Sequence, residues 1–506
     1  MTQTFRHRAL TALALAASIL PITAQAQSKP APISEAEVRA HIAQLASDAF
    51  EGRGPGSAGE TKTLDYLAKT WASYGLVSGT NDAAHPWFQP VPLVERKPYA
   101  QAVHATARGK AVKLAEDGVA LSGRNPADRA TGEPLFVGYG IKPDGTLNAD
   151  VKGRIVLMLS GEPKFEGAAK LPGLRDRQKM LAASGAAAVL ITAPDGVPWS
   201  ALRAQLANGS MRLASDDVSA PIAGVLRGDV SEAMLRAARL SAADAGAKAA
   251  VPGFVPVTLP VTLDLATSTA VRAFDSHNVI GKLPGTKPGS GAILLLGHWD
   301  HFGICRSEEA EDRICNGAVD NASGMAVLLT VAERLARGAQ MDRDVYFMGT
   351  TAEERGLLGA YYFADHPVVP LGDIKVALNV DTVAIAPAGA PVALVGRGEN
   401  GLDGIVDEVA KSMGRTVDSD TEANAFIRRQ DGWALGAKGV KSIMAGGSFS
   451  DMKLLQAFLT TVYHQPDDEL TDATPLGGAA DDANLHVELT RHFADEAKYP
   501  AAPTGD

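Results

Sequence analysis

Five short stretches of the chain carry residue types that bind divalent metals and move protons: His298-Trp299-Asp300-His301, Asp320-Asn321, Glu353-Glu354, Asp381 and Tyr463-His464. Imidazole nitrogens and carboxylate oxygens are ordinary zinc ligands at about 2.0 to 2.2 Å. Two imidazoles, His298 and His464, with three carboxylates suit two zinc ions if one carboxylate is shared, because paired metals in hydrolases stand about 3.5 to 4 Å apart. Asp320 is the candidate bridge, since it stands just before an Asn-Ala-Ser-Gly turn into an apolar helix that would hold its carboxylate rigidly. Asp300, two residues from His298, is placed to accept the other imidazole proton and orient that ring. Glu353 and Glu354 are consecutive, so their side chains leave the backbone in different directions. One can bind metal while the other serves as a general base, and the spacing alone does not fix which. Singly, each residue has a plainer role: a lone His at the surface, or a Glu pair capping a helix. Together and in this order they are hard to explain as charge placement, because buried acids without partners are costly. His301 and the Asp365-His366 pair stay outside the constellation and are expected at the surface.

The elements that must position these residues read as α/β. Apolar runs at 292–296, 345–348, 376–380 and 443–445 alternate with helical stretches, the pattern of buried parallel strands. Acids or His follow each of the first three runs, and open α/β sheets place their sites outside the carboxyl edge. The stretch 324–335 is apolar almost all round and is expected to be packed on both sides; a last helix is expected near 482–494. Near the start, helices are expected at 33–45 and 63–74. Between them Phe50-Glu51-Gly52-Arg53-Gly54-Pro55-Gly56-Ser57 reads as a defined, turn-rich loop. From 96 to 270 the chain changes character. Short β-type runs at 134–139, 155–159 and 187–192 alternate with loops and one helix around 177–183, without any metal-ligand cluster, so this stretch reads as a separate β-rich module.

With 506 residues, 46% hydrophobic and 21% charged, the chain can bury a large core, and disorder and collagen-like structure are excluded. The net charge of −10, without Lys/Arg runs, argues against nucleic acid as a partner. Arg6, His7 and Arg8 precede an apolar run over 9–22 and Ala24-Gln25-Ala26, so residues 1–26 are expected to be a signal peptide cleaved after Ala26. No later segment reaches membrane-spanning length. Cleavage would bring the net charge to about −12 and place the protein in a periplasm or outside the cell. There, Cys305 and Cys315, the chain's two cysteines, are expected to form a disulfide.

These motifs together resemble the dizinc exopeptidases of the aminopeptidase Y and bacterial leucyl aminopeptidase family, which includes glutamate carboxypeptidase and transferrin-receptor relatives. The resemblance extends to the Phe50 to Gly56 loop and to Tyr463-His464-Gln465-Pro466-Asp467-Asp468. It implies a mixed, mainly parallel sheet flanked by helices, two zinc ions per chain, His298 and Asp381 on one zinc, Glu354 and His464 on the other, and Asp320 bridging. It further implies Glu353 as general base, Asp300 behind His298, and a cis peptide between Asp320 and Asn321. The stretch Asp150-Val151-Lys152-Gly153-Arg154-Ile155-Val156-Leu157, followed by 183–191, resembles a protease-associated domain. The expected organisation is therefore a first peptidase part over 27–95, a protease-associated insert over 96–270 and the main peptidase part over 271–500. A neighbouring group of dizinc deacylases and carboxypeptidases inserts a dimerisation domain after the fourth ligand, but here Asp381 and His464 are only 83 residues apart.

The implied activity is that of an exported aminopeptidase, in which a hydroxide between two zinc ions attacks a peptide carbonyl and Glu353 moves the proton to the leaving amine. The implied partner is a peptide with a free N-terminus. A carboxypeptidase or amino-acyl deacylase would instead need cations to hold a substrate carboxylate. Arg428 and Arg429 could supply them, but are expected in a solvated loop. A receptor-like binding protein with structural metals is the third reading, against which an intact base at Glu353 argues.

Overall fold

The computed structural model describes Met1 and residues 30–115, 117–163, 171–251 and 253–500. Apart from Met1, the expected signal peptide lies outside the described residues. The fold is α/β, built around a mixed sheet that has eleven strands among the described residues. In chain order its principal strands are β1 (Phe88–Ala107), β2 (Ser210–Leu213), β3 (Thr262–Leu283), β4 (Ala292–His298), β5 (Asp344–Thr350), β6 (Ile374–Asn379), β7 (Ala393–Val395) and β8 (Ser442–Gly446). Their spatial order is β7-β8-β6-β4-β5-β3-β1, with β2 paired to β1. The centre, β8, β6, β4 and β5, is parallel, whereas β3 and β7 join it antiparallel.

β4 lies between two parallel neighbours, so both of its faces must be apolar. Ile293 and Leu295 enter one core with Met325, Val327 and Leu328, while Leu294 and Leu296 enter another with Met348, Ala360 and Phe363. The period of two along a strand thus divides one apolar run between two helical layers. The flanking helices are α1 (Glu35–Leu45), α2 (Ala58–Ser73), α3 (Ser323–Ala336), α4 (Leu358–Asp365) and α5 (Gly477–Ala494). Every residue of α3 from Ser323 to Ala332 is buried, because the sheet lies on one side of it and α1 and α5 on the other. α1 begins on a capping box in which Ser34 and Glu37 satisfy each other's backbone N–H groups.

A second, six-stranded sheet lies within residues 119–258, in the order Val257–Thr258, Leu135–Phe136, Ile155–Met158, Ala188–Thr192, Ile222–Leu226, Val119–Gly123. It too is apolar on both faces: Ile155 and Leu157 face one core, Val156 and Met158 the other. Covering both faces takes more helix than expected. Besides Leu174–Ala183, helices run over Trp199–Ala207, Gly228–Ala237 and Ala242–Ala249, the last two in an alanine-rich stretch that favours helix. In the large sheet β1 and β3 pair antiparallel with one register shift at Ser268/Thr269, and their far ends, with Ala105, Leu263 and Leu265, pack into a core of the second sheet. Residues 96 and 270 fall inside these strands.

Candidate metal centre

The strand ends bring the expected residues together. His298 closes β4; Asp381 lies two residues beyond β6; Glu353 and Glu354 follow β5 through Ala352, whose φ of 52° turns the chain sharply; Asp320 stands just before α3. His298 Nε2 is 3.2 Å from Asp320 Oδ1 and 3.5 Å from Asp381 Oδ1. On the other side of Asp320, His464 Nε2 is 3.4 Å from Asp320 Oδ2 and 2.9 Å from Glu354 Oε2. The Asp320–Asn321 peptide is cis.

Asp300 is fully buried, but its contact differs from the expected one. The His298 Nδ1–H donates to the Asp300 backbone carbonyl at 3.0 Å, and the carboxylate is 3.9 Å away. Asp300 Oδ1 instead accepts the Glu353 backbone N–H at 3.1 Å, because the side chain turns toward the Glu353 loop. His298 is thereby held by a main-chain group, and Asp300 holds the Glu353 turn.

His301 overturns the surface expectation. It is fully buried, its Nδ1–H donates to the Cys315 carbonyl at 2.9 Å, and its Nε2 stands 3.5 Å from Glu354 Oε1. Two groups of donor atoms, one from His298, Asp320 and Asp381 and one from His301, Asp320 and Glu354, each lie within 4.8 Å of one another. The ring fits because Gly317 has no side chain: a Cβ there would meet His301 Cγ at 2.6 Å. The repeated imidazole in His298-Trp299-Asp300-His301 was the available signal. Cys305 and Cys315 are bonded, closing a small hairpin against both histidines, with Cys315 Sγ 3.8 Å from the His464 carbonyl.

Three further residues were given no role in the site by the sequence, although Arg53 and Asp468 lie in stretches that carry the resemblance. Arg53, fully buried in the loop before α2, donates to the carbonyls of Leu45, Trp299, Asn316 and Gly317 at 2.6 to 2.9 Å. Burial lowers its pKa to about 10, against the pull of Asp468, Asp320, Asp300 and Glu354. Asp468 accepts the backbone N–H groups of Val319 and Asp320 at 2.9 and 3.0 Å, fixing the bridging candidate from behind. Asp431, also buried, accepts from the Thr350 hydroxyl at the end of β5, and its other oxygen has no partner among the described residues. Arg428 and Arg429 are exposed, as expected, yet not free: Arg429 donates to the Tyr463 hydroxyl at 3.2 Å, and Tyr463 stacks on His464 at 3.6 Å.

The electrostatics describe a site crowded with negative charge. Burial pushes Glu353 well above the ordinary carboxylate range, and Asp431, Glu354 and Asp381 push it further, against His298. Burial and the Asp320 charge raise Glu354 to about 7, and burial raises Asp300 to about 6. Burial opposes ionisation of Asp320 as well, but hydrogen bonds from His298 and His464 hold its pKa well below the ordinary value. Burial also opposes charging of His464, yet its bonds to Asp320 and Glu354 lift it to about 9. With Nδ1–H given to a carbonyl, both His298 and His301 point Nε2 at carboxylates. Neutral rings would face lone pairs with a lone pair, an arrangement that a cation between them resolves. His301 Nε2 and Glu354 Oε1 are buried without a hydrogen-bond partner among the described residues. The donor set, hard oxygens with imidazole nitrogens, fits a divalent metal of zinc type.

Residues 278–483 match peptidase family M28, a stretch that contains every one of these ligand candidates. Sequence relatives of the M28 stretch and its surroundings include a vacuolar membrane protease of Candida glabrata, 32% identical over 108 residues that make up 21% of this chain and 10% of the relative. Aminopeptidase YwaD of Bacillus subtilis is 26% identical over 253 residues, 49% of this chain and 43% of the relative. The matches therefore span less than half the length of these curated relatives. Among solved structures, an aminopeptidase from Aneurinibacillus sp. strain AM-1 superimposes over 92% of this chain and 94% of its own with a TM-score of 0.57 and 19% identity, so the fold is shared well beyond the M28 stretch.

Proposed function

We propose that the chain is a two-zinc aminopeptidase. The observation that carries the reading is the convergence on Asp320 of His298 and Asp381 from one side and Glu354 and His464 from the other. The match of residues 278–483 to peptidase family M28 supports it. His298 and Asp381 would hold one ion, Glu354 and His464 the other, with Asp320 between. His301 lies within reach of the second ion. Zinc ions so held supply Lewis acidity toward the scissile carbonyl and stabilise its developing negative charge.

The chain's own part is to move protons and hold the substrate. Glu353, fixed through its backbone N–H on Asp300, takes a proton from the attacking water and returns it to the amine nitrogen as the C–N bond breaks. The water oxygen ends in the new carboxylate. The site's excess of carboxylates holds the free α-ammonium of the substrate, so acetylation of that amine should abolish cleavage. We further assign residues 27–95 and 271–500 to the peptidase domain, 96–270 to a protease-associated insert, and residues 1–26 to an export signal. Among the described residues no helix is long and apolar enough to cross a membrane.

Arg429 favours one second reading. Its contact with Tyr463 puts a guanidinium beside His464, where it could hold a substrate carboxylate. Matched peptides separate the two. Release of the first residue from free but not N-acetylated peptides, with C-terminal amidation tolerated, is the expected result. Cleavage of N-acetylated peptides that fails on C-terminal amidation would replace the aminopeptidase reading with a carboxypeptidase.

A further inference from the structure

Strand β2 belongs to the segment of the insert yet pairs with β1 of the large sheet, Leu213 opposite Leu93 and Arg212 opposite Val94. Met211 and Leu213 pack with Val91, Leu93 and Ala352, the residue that turns the chain into Glu353. Between them Arg212 faces the other way and lines a cavity of about 460 Å³. The cavity carries four guanidinium groups, those of Arg96, Arg124, Arg175 and Arg212, above an apolar surface that includes Leu202 and Leu206.

The carboxylates nearby are already taken. Asp217 pairs with Arg96 through two bonds of 2.6 and 2.8 Å, and Asp216 pairs with Lys179 at 2.6 Å. Arg124 gives one bond, 3.4 Å, to the Ser219 carbonyl. Arg175 and Arg212 form neither an ion pair nor a side-chain hydrogen bond among the described residues. Arg212 is only partly exposed and sits near the exposed Arg175, while the two carboxylates that act on it, Asp216 and Asp217, are already bonded to Lys179 and Arg96. Burial lowers the pKa of Arg212 and the charge of Arg175 lowers it further, against the pull of Asp216 and Asp217. Such a pair is costly when empty and is relieved by an anion, and guanidinium groups match the planar oxygens of a carboxylate.

We propose that this cavity binds a small carboxylate with an apolar body, its oxygens on Arg175 and Arg212 and its hydrocarbon against Leu202 and Leu206. The ligand is either a free branched-chain acid or the C-terminal residue of a peptide, which share this chemistry. Because β2 lies between the cavity and Ala352, the site stands directly behind the turn that carries Glu353.

The test is calorimetric titration of the zinc-loaded chain, at fixed chloride, with 4-methylpentanoate, acetate, 4-methylpentanamide and N-acetyl-alanyl-leucine. We expect one saturable site for 4-methylpentanoate, binding at least about tenfold weaker for acetate, and none for the amide. Tighter binding of the blocked dipeptide would identify the ligand as a peptide end, and weaker binding would identify a free acid. Arg212→Gln and Arg175→Gln, each with its thermal midpoint retained, should each weaken 4-methylpentanoate by at least about tenfold. No saturable binding, equal binding of acid and amide, or undiminished binding in whichever of the two variants folds would overturn the proposal.

Discussion

Glu353 and Glu354 are adjacent in sequence but face different partners. Glu354 points to His464 and His301, whereas Glu353 is anchored by its N–H to Asp300 and feels Asp431 and Asp381. If Glu353 is the proton carrier proposed above, Glu353→Gln should lower turnover by about 10² to 10⁴ while bound zinc stays constant by elemental analysis. Near-normal turnover in that variant would assign the base elsewhere. Much of the constellation was legible in the sequence because His298, Glu353, Glu354 and Asp381 sit at or just beyond the ends of apolar strands, where an acid or imidazole has little other reason to be. His301 was not legible: its burial depends on a glycine at 317 and a carbonyl at 315, both distant in sequence until the hairpin folds. Arg53 and Asp468 escaped for a related reason, since each serves main-chain groups that carry no side-chain signature.

Among the elements, the loop before α2 acts as a clamp rather than a linker. Arg53 gathers four carbonyls from three parts of the chain, two of them directly before Asp320. Removing the guanidinium would strand those acceptors and leave buried carboxylates unbalanced, so Arg53→Met should cost about 3 to 5 kcal/mol in urea unfolding. A loss below about 1 kcal/mol would show that water replaces it. α5 makes a pH prediction away from the metal centre. His486 is fully buried, its Nδ1–H donates to the Asp482 carbonyl at 2.8 Å, and burial lowers its pKa to about 4. An unfolded His titrates near 6.5, so between pH 6.5 and 4 the unfolded chain binds the extra proton and His486 favours unfolding as pH falls. Relative to His486→Gln, the natural chain should therefore lose about 3 kcal/mol between pH 7 and 4, measured by urea unfolding at each pH. Equal pH slopes for the two would contradict this account. α3 and β4 were plain in the sequence because unbroken apolar runs admit few other structures. The helices at 199–207, 228–237 and 242–249 were not, because each has only eight to ten residues and several of its apolar positions are alanine, a weak burial signal.

At the scale of the molecule, the long ribbon of β1 and β3 belongs to the large sheet but packs into both cores, through Val279 in one and Ala105, Leu263 and Leu265 in the other. A change in composition suggested borders at residues 95 and 270, but both fall next to or inside β1 and β3, which continue past them without a linker. The return of β2 to the large sheet was likewise invisible, since a four-residue strand pairs by tertiary context and not by pattern. The buried carboxylates around Asp320 make the folded state a ligand for cations that the unfolded chain binds poorly. Zinc at about a thousandfold its dissociation constant should therefore add about 4 kcal/mol of stability per site, read as a rise in the thermal midpoint that Asp320→Ala removes. An equal rise in Asp320→Ala would place the stabilising ion elsewhere. The most direct test of the central claim is to strip the chain with a chelator, return zinc stepwise and follow release of the N-terminal residue from an unblocked peptide. The account predicts no release from the stripped chain and a return that levels off at two zinc ions per chain. Full release by the stripped chain, or a return complete at one ion, would contradict it.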